Sequence, residues 1–238
     1  MESKPRPAQP CNALPAHRWQ RLRGLRDVCQ LNEHLLDVLT EATRCGLSGG
    51  PEVLSGNAAL LASMDPGARR CAAQIPIVLV DLNFSDEDWW QSAANAADNF
   101  NNAVAGLPMP YQWQPEATRE VLMLAWPAVR EDRAVASLLF GMSPSVADLL
   151  ASLGPRQLDF IGSKLCSELQ PRWGASHGFW RRLLSAAIAR NDGALAEVHL
   201  YALQLLGGEM MRAQRHTRES ALHMNARTSR AVLSHSRS

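Results

Sequence analysis

Apolar residues recur at helical spacing along most of the chain. Between His17 and Cys45 they fall every three or four residues, the period of one buried helical face, and Gly46 ends the run. The same periodicity resumes at Pro115, where Pro127 is expected to kink or end the first helix. Further helices are predicted at 58–62, 66–73, 85–105, 132–140, 144–153, 155–169, 178–190 and 194–206. The sequence therefore predicts a mainly α, multi-helical fold.

One segment differs from this pattern. Residues 75–82, IPIVLVDL, are short, apolar and rich in β-branched side chains, which favours a strand. A single strand leaves its backbone groups unpaired, so it would need a partner elsewhere in the chain. After it, Ser85 is the expected N-cap of a helix whose first turn contains three acids and is followed by Trp89 and Trp90.

The run LLFGMSPSVADLL, residues 138–150, predicts two helices joined by a sharp turn. Gly141 suits the left-handed conformation that ends a helix, Ser143 can cap the next helix, and Pro144 suits its first position. Val146, Leu149 and Leu150 then form a buried stripe. This is the pattern of a helix-turn-helix, and also of any tight pair of antiparallel helices.

Changes in composition suggest four regions. Residues 1–16 carry four prolines and are expected to be disordered, and residues 17–106 form an N-terminal helical unit. The segment GLPMPYQW, 106–113, is the candidate boundary before a C-terminal helical domain at 115–207. Residues 208–238 are a basic tail expected to be largely disordered.

Catalytic and metal-binding motifs are lacking. The sequence has no HExxH, no phosphate-binding loop, no GxSxG and no dinucleotide fingerprint, so we expect no enzymatic activity, no cofactor and no metal. Five cysteines are scattered without CxxC spacing and no signal peptide precedes them, which favours a reducing, cytoplasmic compartment. No apolar run reaches the roughly 20 residues that span a bilayer, so we expect no membrane association.

Cationic residues become frequent after the predicted helix pair. The second helix of the pair, 144–153, has no Arg, Lys, Gln or Asn, and Asp148 would repel phosphate, so it is a poor recognition helix. The candidate DNA-binding residues are therefore the basic ones downstream: Arg156, Lys164, Arg172, Arg181, Arg182, Arg212, Arg215 and Arg218.

Residues 118–184 resemble the FlhD-like bacterial transcriptional regulators. The resemblance rests on Leu124-Ala125, on Asp132-Arg133 with Ala136, on Phe140-Gly141 at the turn, and on Leu150, Leu153 and Gln157-Leu158. It implies an all-α homodimer built from the helices between Pro115 and Phe140. It also implies an FlhC-like, zinc-containing partner subunit, promoter DNA bound through the complex, and recruitment of RNA polymerase. The implied dimer contacts are Leu122, Leu124, Leu138, Leu139 and Phe140.

Three functions stay open at this point. The first is an FlhD-like regulator subunit whose helix pair packs helices or docks a partner, and the second is a stand-alone DNA-binding protein acting through Arg181, Arg182 and the tail. The third is a helical adaptor without a DNA role, for which the candidate contacts are Trp89, Trp90, Trp113 and Trp180, because tryptophan is enriched in interface hot spots. Of the pair Trp89 and Trp90 we expect one ring to be buried and one exposed, and we expect Trp180 to be a core residue.

Overall fold

A computed structural model describes residues 23–45, 56–98, 114–164, 168–174 and 176–212. It confirms a mainly α fold. The helices and strands of the described part are, in order, α1 Arg23–Arg44, α2 Ala58–Ser63, α3 Pro66–Ala73, β1 Val80–Asp81, α4 Glu87–Asp98, α5 Gln114–Glu131, α6 Arg133–Phe140, α7 Pro144–Ser152, α8 Pro155–Lys164, β2 Gln170–Pro171, α9 His177–Ile188 and α10 192–212.

Several helix ends follow directly from local sequence. Asp132 caps α6 by accepting hydrogen bonds from the amides of Ala134 and Val135, at 2.9 and 3.1 Å. The cap of α4 is Asp86, which accepts from the amide of Trp89 at 2.9 Å, so the prediction of Ser85 was wrong by one residue. Of the two outcomes predicted at Pro127, a kink or an end of the helix, the end does not occur, because α5 continues through Pro127 to Glu131.

Two clusters of buried side chains form the interior. The first cluster joins the N-terminal part of α1 to α4, α5, α6, α7 and α8, and the second joins the C-terminal part of α1 to α2, α3, α9 and α10. Within α1 the change comes between Leu35, in the first cluster, and Leu36, in the second. Each cluster thus contains residues from both of the units predicted on either side of 106–113, and that segment itself lies outside the described residues.

The predicted strand at 75–82 is an extended segment that separates the two clusters. Alternate side chains of an extended backbone point to opposite sides. Accordingly Ile75, Ile77 and Leu79 belong to the second cluster, whereas Val78, Val80, Leu82 and Phe84 belong to the first. This dual burial explains why the whole segment is apolar.

Only two residues of this segment form a regular strand. Val80 and Asp81 pair with Pro171 and Gln170 in an antiparallel ladder. Upstream of it, the buried Asn32 side chain donates to the carbonyl of Ile77 at 2.8 Å and accepts from the amide of Leu79 at 3.0 Å. The Asn32 side chain thus forms the hydrogen bonds with Ile77 and Leu79 that a neighbouring strand would otherwise form.

Candidate functional site

The helix pair predicted at 138–150 is present, and its turn has the expected chemistry. Gly141 is left-handed, with φ 71°, and the Ser143 hydroxyl accepts from the amide of Val146 at 3.3 Å. The axes of α6 and α7 differ in direction by 113°, within the range of about 90–120° found in helix-turn-helix motifs. Gly141, Ser143 and Pro144 therefore have the predicted conformations and positions.

The second helix of this pair buries one face. Val146, Ala147 and Leu150 are inaccessible to solvent and belong to the first cluster. The exposed residues of α7 are Pro144, Asp148 and Ser152. Asp148 Oδ1 lies 2.9 Å from Arg133 Nε, so the one charge of α7 is paired with α6. The outer surface of α7 consequently offers no cation and no amide side chain to a base edge or a phosphate.

Arg172 fixes the turn of the helix pair from inside the molecule. Its guanidinium donates to the carbonyl oxygen of Leu139 at 3.4 Å and lies so close to Gly141 that a Cβ there would come within 1.8 Å of Nη2. Its backbone amide donates to Leu79 at 2.9 Å, and its carbonyl accepts from the indole of Trp180 at 2.8 Å. One residue thus links α6, the extended segment and α9.

The charge of Arg172 is balanced by carboxylates from two other elements. Nη2 lies 2.7 Å from Oε2 of Glu209 on α10, and the Arg172 side chain is only 3% exposed. Burial raises the pKa of Asp81 on β1, and the negative charge of Glu209 adds to this rise. The backbone amide of Phe84 and the positive charge of Arg172 lower the same pKa by a smaller amount. The guanidinium also lies over the ring of Trp173, with 5.0 Å to the centroid. We call Asp81, Arg172, Trp173 and Glu209 the Arg172 network.

The Arg172 network corrects one predicted site residue. Arg172 was expected on a DNA-binding surface, but it is buried and paired, so it cannot reach a phosphate without breaking the core. Its partner Glu209 lies 37 residues later in the chain, and the spacing of apolar and polar residues cannot reveal a contact between positions so far apart. The half-buried acid Asp81 and the buried amide of Asn32 were likewise not identified from sequence, since each lies in a segment that is otherwise apolar or amphipathic.

The other cationic candidates lie on different helices. Arg156 is exposed on α8 of the first cluster, whereas Arg181 and Arg182 are exposed on α9 of the second. Arg182 lies over the ring of Tyr201, with 5.6 Å to the centroid. Arg212 is exposed at the end of α10. Arg215 and Arg218 lie outside the described residues, as does the side chain of Lys164.

Most of the predicted dimer contacts are core residues. Leu122, Leu139 and Phe140 are at most 8% exposed and belong to the first cluster, so these three predictions were wrong: the helices that carry them pack on each other within one chain. Leu138 is exposed and Leu124 partly buried, so both stay available to a partner. Trp90 is buried, as expected for one ring of the pair, and its indole donates to the carbonyl of Leu82 at 3.2 Å. Trp89, expected to be exposed, is instead partly buried against the first cluster. Trp180 is buried, as predicted, and Trp113 lies outside the described residues.

Two titratable side chains outside the Arg172 network, His199 and Cys29, are fully or partly removed from solvent. In the part of the chain that the structure describes, no group of three or more His, Cys, Asp or Glu residues is placed to hold a metal ion. His199 is buried with no hydrogen-bond partner for Nε2 among the described residues, and burial lowers its pKa. Burial also raises the pKa of the Cys29 thiol to about 11, which makes it a poor nucleophile.

Cys71 departs from the expected reduced state. It is buried in the second cluster and disulfide-bonded, whereas Cys29 and Cys45 are free thiols. A disulfide requires two Cα atoms within about 7 Å, and only the fold decides which cysteines come that close. The spacing of cysteines in the sequence could therefore not identify this bond.

No helix among the described residues is both long and apolar enough to cross a membrane by itself; α6 and α7 satisfy that length and composition test only as a bent pair. The chain matches no protein-family model, no curated protein and no solved structure.

Proposed function

We propose that this chain is a helical, partner-binding subunit of a transcription-regulating assembly. DNA is contacted through the complex and not by α7. The observation that carries the proposal is the contrast within the helix pair, which has a helix-turn-helix bend of 113° but a second helix whose exposed residues are Pro144, Asp148 and Ser152. Such a helix packs against protein on its buried face and offers little with which to contact bases.

The resemblance of residues 118–184 to FlhD-like regulators supports the same role. It supplies the expected partner, an FlhC-like subunit, and the expected targets, promoter DNA and RNA polymerase. The buried position of α7 supports a division of labour in which the partner provides most of the sequence specificity.

The test is DNA binding by the full chain, with and without such a partner, on promoter fragments of its own locus. Fluorescence anisotropy over 50 to 200 mM salt is the suitable readout, because phosphate contacts weaken steeply in that range. We expect specific binding only when the partner is present.

An α7 variant makes this test sharper. If α7 entered the major groove, Asp148→Ala would remove a negative charge facing phosphate and would tighten binding. We expect no change in the affinity of the complex for DNA, with Arg133→Ala as the matched control for loss of the Arg133–Asp148 pair. Tighter binding by Asp148→Ala alone would contradict the proposal.

A second candidate function is favoured by one observation on α9. Arg181 and Arg182 are adjacent and exposed, and neither has an ion-pair partner among the described residues. If they bind phosphate directly, the chain alone will bind DNA, and changing both to Ala will lower the salt slope by about two units. No binding by chain or complex would leave a protein–protein adaptor.

A further inference from the structure

The last described helix, α10, has two apolar faces, and only one of them is covered. Leu195, Val198, Ala202 and Leu206 recur every three or four residues and are buried in the second cluster. Leu200, Leu203 and Met211 are 62, 49 and 58% exposed, although they are the residue types that normally enter a core.

The exposed apolar residues lie on one line along the helix. With Gly207 between them, Leu200, Leu203 and Met211 follow spacings of three, four and four residues, the period of a helix–helix seam. We call these four residues the α10 stripe. Its three large side chains, Leu200, Leu203 and Met211, are among the five large apolar side chains that are exposed in the described part of the chain.

The middle of the α10 stripe is open to a close neighbour. A Cβ built on Gly207 or on Gly208 would meet nothing within 4 Å. Two consecutive glycines cost a helix roughly 0.5–1 kcal/mol each, yet α10 continues past them to residue 212. Glycine on an exposed helix face permits another backbone to approach closely, and the flanking Leu and Met side chains can then pack around it.

The charges at the ends of the stripe identify the partner. Glu197 and Arg212 are exposed, carry opposite charges and have no ion-pair partner among the described residues. At 100° per residue both lie on the same flank of the stripe. When two such helices pack antiparallel, a two-fold axis brings Glu197 of each copy near Arg212 of the other, while Leu200 faces Met211.

We propose that the α10 stripe is a homodimer interface in which two copies of this chain pack α10 against α10 in antiparallel orientation. The surface is self-complementary in shape, because apolar ends flank a glycine centre, and in charge, because acid faces base on both sides. The interface is small, so the dimer forms reversibly with protein concentration. This inference stands apart from the proposed function and differs from the dimer that the FlhD resemblance implies.

The experiment is sedimentation equilibrium of the full chain over a wide concentration range. We expect a reversible monomer–dimer equilibrium, and Leu200→Glu should raise the dissociation constant by about tenfold or more because it places two charges in the apolar seam. The matched control is Met123→Glu on α5, since Met123 is also 62% exposed, and it should leave the dissociation constant unchanged.

Charge reversal tests the antiparallel register. Glu197→Arg and Arg212→Glu should each weaken the dimer about threefold, and the double variant should restore it, because the pair is then re-formed with opposite polarity. Loss of stability of the monomer cannot produce such a rescue.

Three results would overturn the inference. One is a monomer at every concentration. Another is a dimer that Met123→Glu weakens and Leu200→Glu does not. The third is a Leu200→Glu chain that stays monomeric like the wild type but melts at a lower temperature, which would mean that the chain covers its own α10 stripe.

Discussion

The two helix pairs α6–α7 and α9–α10 differ in what they leave on the surface. The first pair has the helix-turn-helix signature, yet its second helix has no exposed cation or amide side chain and its turn is held by the Arg172 network. The second pair has no such signature, yet it exposes Arg181, Arg182 and the α10 stripe. A local motif thus defines the backbone geometry of a helix pair, while the packing around the pair determines which of its side chains are exposed to a partner.

The largest expected effect comes from removing the cation behind the α6–α7 turn. Arg172→Ala leaves Glu209 and Asp81 without their counter-charge, and loss of one partner from a buried ion pair costs about 3–5 kcal/mol. Urea denaturation of the full chain measures this free energy of unfolding.

The matched control for Arg172 is another arginine of the same region. Arg133 pairs with Asp148 at 2.9 Å, but both side chains are more than 60% exposed, so Arg133→Ala should cost at most about 1 kcal/mol. Equal effects of the two substitutions would mean that the helix pair is not held from inside, and the contrast between the two pairs would disappear.

A smaller effect is expected at the turn itself. Gly141→Ala forces a left-handed conformation on a residue with a Cβ, which costs roughly 1–2 kcal/mol, and this Cβ would also collide with Arg172. Gly178→Ala on α9 meets no neighbour within 4 Å and should leave stability unchanged or slightly raised. Thermal unfolding of both variants measures the difference, and a neutral Gly141→Ala would show that the turn is free to adjust.

The smallest effect is a difference in pH dependence between two aspartates. Burial raises the pKa of Asp81, so its contribution to stability is fully present below its unfolded-state pKa of about 3.8 and is lost as pH rises through the folded-state pKa. The pKa of Asp65 is lowered, chiefly by the amide of Ala68 and also by Arg190, so its contribution is present above that value and is lost as pH falls.

Substitution of each aspartate by Asn isolates its contribution to the pH dependence of the free energy of unfolding. As pH falls from 7 to 4 the wild type should gain stability relative to Asp81→Asn. As pH falls further, below about 4, it should lose stability relative to Asp65→Asn. Denaturant midpoints at a series of pH values give both differences. Slopes of the same sign would contradict the electrostatic account of the Arg172 network.

The sequence was sufficient for several structures that depend on near neighbours, although it misplaced the cap of α4 by one residue. The helix at 66–73 and the turn at Gly141 follow from periodicity, from capping side chains and from the one residue that tolerates φ 71°. The burial of 75–82 was also predictable. Its contribution to both clusters was not, because a strand that is apolar on both faces shows no alternation of polar and apolar residues in the sequence.

The candidate site depended on contacts that are distant in sequence. Arg172 and Glu209 are 37 residues apart, and Asn32 lies 45 residues from Ile77. From the sequence, Arg172 was one cation in a basic region, and only the position of α10 makes it a buried one. Leu122, Leu139 and Phe140 are apolar and were therefore predicted at a dimer interface. They are buried together in the first cluster by contacts between helices, which the sequence does not reveal.

We infer that α6–α7 is chiefly an internal packing unit and that contact with other molecules falls mainly to α9 and α10. Hydrogen exchange of the full chain at a series of protein concentrations tests it most directly. We predict that the amides of α7 are strongly protected at every concentration, while protection of residues 200–211 rises as concentration increases. Rapid exchange throughout α7, or a concentration-dependent protection of α7 and not of α10, would contradict the account.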